Sequence, residues 1–104
     1  MSLRPPNFLW KTGAGETGLD LLGHEILAEK AAELGRTGAR AEACLARLRD
    51  HQGTETERDL LVKAASDAVY AWFIQRELCG FRRHDDVVRQ YGIPRVVLAR
   101  LGAK

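Results

Sequence analysis

Two groups of side chains in this sequence have types and spacing that could do chemistry. His24, Glu25, Glu77, His84, Asp85 and Asp86 supply imidazoles and carboxylates, the groups that ligate zinc or iron. The stretch YGIPRVVLARLG, residues 91–102, carries Arg95 and Arg100, with Arg89 just upstream. Held in a helix-turn-helix, those guanidiniums would reach phosphates or the O6/N7 edge of guanine. Either chemistry depends on which elements bring the residues together.

Residues 1–16 hold Pro5, Pro6, Gly13 and Gly15, which oppose both helix and strand, so this stretch reads as an extended arm. Its Phe8, Leu9 and Trp10 would be costly to leave in water and need a docking place, on this chain or on a second copy. Thr17 and Asp20 have the form of a capping box and start a helix over 17–50. Along it, Leu27, Ala31, Leu34, Gly38, Ala41, Leu45 and Leu48 recur at spacings of four and three, a seam on one face. The small residues Ala31, Gly38 and Ala41 would admit a partner helix at close range. Gly35 and Gly38 each weaken the helix by about 1 kcal/mol relative to alanine, so a bend there is the alternative.

Asp50 to Gly53 makes a tight turn, and Thr54 with Glu57 offers a second capping box. The second helix spans 54–79, with Leu61, Ala65, Ala68 and Trp72 on one face, Val62, Val69 and Phe73 on the next, and Gly80 as its stop. A short helical pair fills 84–101, with acids in its first turn and Pro94 at the first position of the last helix. No strand pattern or internal repeat is visible.

The fold class is therefore all-α: a long antiparallel helical hairpin plus two short C-terminal helices. Helices of roughly 30 and 25 residues measure about 45 and 38 Å, against a radius of gyration of only about 13 Å for a globule of this size. The short pair covers part of that length, and a second copy completing a four-helix bundle as a homodimer covers the rest.

The 104 residues and 45% hydrophobic content suit one domain. The formal charge of +2, from 16 basic and 14 acidic residues, is far from that of a dedicated nucleic-acid or membrane-surface binder. No apolar run approaches the ~18 residues of a bilayer span, and no signal-peptide core is present, so a cytoplasmic protein with no membrane partner is expected. Cys44 and Cys79 lack CxxC spacing, and the hairpin register sets them about 27 Å apart, beyond a disulfide. Both read as small buried hydrophobes.

Against these elements the two chemistries weaken. The hairpin brings His24 and Glu25 towards Glu77 and His84, but no HExxH and no Glu-x-x-His is present, leaving His24, Glu25 and His84 as minor metal candidates. Residues 76–104 hold seven basic and three acidic side chains, an excess of four that would support backbone binding to DNA. Yet Pro94, Val96 and Val97 leave few polar side chains for base edges, and the segment reads first as a packing corner. Trp72 and Phe73 read as core, and no phosphate loop or nucleophile elbow appears. The expected role is a non-enzymatic oligomerisation or protein-interaction module without a cofactor. Self-association would run through the Leu27 to Leu48 seam; DNA binding by Arg89, Arg95 and Arg100 is the alternative, and a metal site near His24 the third.

The runs GHEILAEKAAELGRTG and VYAWFIQRELCGFRRHDDVVRQYGIPRVVLARLG resemble a family of small, all-helical alphaproteobacterial proteins of unknown function. The resemblance covers most of the chain and implies a helical bacterial protein. It implies no activity, cofactor or catalytic residue.

Overall fold

The computed structural model describes residues 18–103; the arm at 1–16 and the Thr17 cap lie outside them. The described residues form α1 (Gly18–Arg49), α2 (Glu55–Leu78), α3 (Asp85–Gln90) and α4 (Arg95–Leu98), with no strand among them. The chain divides into two compact units, 1–30 and 31–104. The described part of the first is the opening of α1, where Asp20 sits in the first turn and suits the positive end of the helix dipole. Its Leu19, Leu21, Leu22, Ile26 and Leu27 are all exposed.

The second unit holds the rest of α1 and the three following helices. Helix α1 runs unbroken through Gly35 and Gly38, so the bend does not occur. The two glycines differ in use: a Cβ on Gly35 would meet nothing, whereas one on Gly38 would stand 3.1 Å from Trp72 Nε1. Gly38 thus admits an indole from α2 against the α1 backbone, which is how the two long helices come together at this level. Below it, Ala41, Cys44, Leu45 and Leu48 of α1 meet Val62, Ala65, Ala68, Val69, Trp72 and Phe73 of α2 in one buried cluster. Val87, Ile93 and Val97 close it from the C-terminal segment.

The ends of α2 follow the local rules read from the sequence. The Thr54 hydroxyl accepts from Glu57 N at 3.1 Å and Glu57 Oε1 accepts from Thr54 N at 2.8 Å, completing the capping box. At the other end Gly80 takes φ 99°, Phe81 N donates to Arg76 O and Gly80 N to Glu77 O, a Schellman closure. Cys79, the C-cap, is half-buried and so not the buried hydrophobe expected of it, whereas Cys44 is buried; both are free thiols.

The corner after α3 repeats the device. Gly92 takes φ 59°, Ile93 N donates to Val88 O and Gly92 N to Arg89 O. Pro94 keeps an extended ψ of 151° and caps α4 from outside, so the last helix starts at Arg95 and not at Pro94 as expected. It is a single turn ending at Leu98 in place of the longer element reaching 101. That turn is nonetheless anchored: Val97 is fully buried, and Ser66 Oγ, buried in α2, donates to Val97 O at 3.2 Å. No helix among the described residues is long and apolar enough to cross a membrane.

Candidate functional site

Arg76 follows Phe73 by three residues and Trp72 by four on the apolar face of α2, and packing there leaves the residue only 9% exposed. A guanidinium in that setting must be satisfied, and the loop after Gly80 supplies its partners. Arg76 Nε donates to His84 Nδ1 at 3.0 Å and Nη2 donates to Arg83 O at 3.0 Å, with Asp86 Oδ1 at 3.5 Å. The guanidinium carbon lies 4.9 Å from the centre of the Phe81 ring and 5.8 Å from that of Trp72, so aromatic faces complete its cage.

These bonds determine the His84 tautomer. Nδ1 accepts from Arg76, so the proton sits on Nε2 and is donated to Glu77 Oε2 at 3.1 Å. The ring also stacks on Phe73, 4.1 Å between centroids and 8° from parallel. His84 is therefore a bridge between a buried cation and an exposed carboxylate, with both nitrogens engaged.

Outside this node lies an open groove of about 540 Å³, floored by Arg76 and Phe81 and rimmed by Arg82, Arg83, Arg89 and the acids Asp85 and Asp86. Arg83 Nη2 donates to Asp85 Oδ2 at 2.9 Å. That hydrogen bond and charge hold the Asp85 carboxyl below its ordinary range and raise the Arg83 guanidinium above its own, at an exposed position where the pair adds little to stability. Asp86 faces Arg76, whereas the Arg82 side chain has no ion pair among the described residues. The groove offers guanidinium donors to an anion; it holds no nucleophile activated by a base.

The residues singled out from sequence divide between the two units. His24 and Glu25 are exposed in the first unit, while His84 belongs to the second and is bound to Arg76 and Glu77. Among the described residues no three His, Cys, Asp or Glu side chains gather as a metal site would need. Arg89, Arg95 and Arg100 are exposed, but a four-residue α4 is about 6 Å long, too short to run several side chains along a major groove. In the seam, Ala41, Leu45 and Leu48 are buried and Leu34 and Gly38 half-buried in the chain's own core, whereas Leu27 and Ala31 are exposed. Sequence reading counted Arg76 only among the surface bases of 76–104 and missed its buried place. Its signal was present: a charged residue at core spacing on α2, eight positions before a histidine.

The family model described as "Family of unknown function (DUF6665)" matches residues 1–104, and the chain belongs to that family. No curated protein and no solved structure matches it.

Proposed function

We propose that this DUF6665 member is a non-enzymatic self-association module of the bacterial cytoplasm, and that the opening of α1 is its contact surface. One observation carries the reading: five large apolar side chains lie exposed between residues 19 and 27, with Leu19 80% and Leu27 65% accessible. Leu19, Leu22 and Ile26 stand at i, i+3 and i+7 on one helical face, with Leu27 beside them. A strip of that kind is what a two-helix seam uses, and a second copy offers the same strip in self-complementary form. The contact therefore begins upstream of most of the seam expected from sequence, whose Ala41, Leu45 and Leu48 are already spent inside one chain. For the same reason an aspartate at Leu45 would report on folding and not on assembly.

The test is the mass of the full chain by light scattering, beside the exposed-site variant Leu22→Asp/Ile26→Asp. A dimer at micromolar concentration, reduced to a single-chain mass in the variant with its circular dichroism unchanged, is the expected result. A single-chain mass for the wild type at hundreds of micromolar would end the proposal.

A second reading has its own support in the Arg82, Arg83 and Arg89 groove, which could follow a nucleic-acid backbone. A gel shift with mixed DNA at low and high salt decides it, since no retardation at low salt removes it.

A further inference from the structure

We infer that the cavity between the hairpin turn and the α3–α4 corner is a binding site for a small organic anion: an oxyanion head, carboxylate or phosphate monoester, on an apolar body. It lies wholly within the second unit and shares no lining residue with the arginine groove. Its volume of about 300 Å³ is at the small end of ligand pockets, enough for a body the size of one aromatic ring.

Its walls divide by chemistry. Leu45, Leu48, Tyr91 and Pro94 form the apolar side. Tyr91 is held there by Trp72, edge to face with centroids 5.2 Å apart, so this wall is set before any ligand arrives. The polar side is Arg49, His51 and Arg58, and no carboxylate lines the cavity. The arginine groove, by contrast, is more open and carries two aspartates on its own rim.

Arg58 is the decisive residue. Its side chain is half-buried, yet its guanidinium has no hydrogen bond, ion pair or ring partner among the described residues. Partly desolvated guanidiniums are ordinarily matched to an acceptor, and this one lines a cavity with no carboxylate in its wall. Arg49 is bound to Asp50 at 3.2 Å, a pair in which both side chains are 71% exposed and which an incoming anion can displace at small cost. His51 adds shape, its ring held to the turn by Nε2 at 3.0 Å from Thr54 O and by the Gly53 amide at 3.1 Å from Nε2 and 3.3 Å from Nδ1. The two guanidiniums thus take the head, and the leucine, tyrosine and proline wall takes the body.

The experiment is a titration of the 15N-labelled full chain with phenyl phosphate and with benzoate, beside benzamide and inorganic phosphate. At least one of the two aromatic anions should shift the Arg58, Tyr91 and Gly92 amides, with benzamide and inorganic phosphate each about tenfold weaker or more. Arg58→Gln should weaken binding by about tenfold, the scale of a lost charge-assisted hydrogen bond. Arg49→Gln, at an exposed side chain, gives a smaller loss and keeps the test open should the Arg58 variant fold poorly. Preference for benzoate identifies a carboxylate head and preference for phenyl phosphate a phosphate monoester. Unmoved Tyr91 and Gly92 amides with both anions would overturn the site. Equal binding by folded Arg58→Gln would do the same, and inorganic phosphate as strong as phenyl phosphate would overturn the apolar body.

Discussion

The caps that end α2 and α3 share one backbone device and put it to opposite uses. Each closes with a glycine at positive φ and the same pair of reversed amide bonds, Gly80 before Phe81 and Gly92 before Ile93. After α2 the next side chain, Phe81, is 50% exposed and lies over a guanidinium; after α3 it is Ile93, only 6% exposed and part of the core. The backbone turn is therefore neutral, and the residue that follows it decides whether a corner becomes surface or interior.

The sharpest way to break that contrast is to truncate the two followers. Ile93→Ala should cost about 2–5 kcal/mol, the range for a large aliphatic core residue. Phe81→Ala should cost only about 1 kcal/mol, the scale of an exposed cation–π contact. Urea denaturation followed by circular dichroism gives both values, and equal losses would show that Phe81 is as structural as Ile93.

Next in size is the shared device itself. A Cβ at Gly80 or at Gly92 would meet no atom within 4 Å, so alanine at either site costs backbone strain alone, about 1–2 kcal/mol. Asparagine should recover most of that loss at Gly92, whose φ of 59° lies in the left-handed well, and less at Gly80, whose 99° lies beyond it. Thermal melts of the four variants rank them, and full rescue at both sites would contradict the difference in φ.

The smallest effect concerns the surface corner only. Asp85 has its carboxyl lowered by Arg83, so its contribution is fully present above the ordinary carboxylate range and is lost as pH falls through the lowered value. Removing the pair with Asp85→Asn should flatten that acid-side loss slightly and leave neutral stability almost unchanged. A variant that alters stability equally at pH 7 and in acid would show that the pair acts by packing.

What could be read beforehand was whatever depends on a few adjacent residues. The Thr54 and Glu57 box, the stops at Gly80 and Gly92 and the apolar face of α2 each rest on spacings of one helical turn. The length of α4 was not legible, because Pro94 is equally at home inside a first turn or just outside it, and only ψ distinguishes them. Arg76 was hidden for another reason. A single cation on an apolar stripe acquires meaning only when the loop returns His84 and Arg83 O to it, and loop paths are not periodic. The seam of α1 was visible as a stripe, but a stripe does not say whether its cover comes from the same chain or from another.

The Ser66 to Val97 bond joins the middle of α2 to the last helical turn, with Val97 fully buried between them. A ribosome delivers these partners some thirty residues apart, so the nascent hairpin carries a wet, unplugged centre until residue 97 has emerged. A stop codon placed just before Val97 should therefore yield a chain that chaperones retain, although both long helices would already be complete.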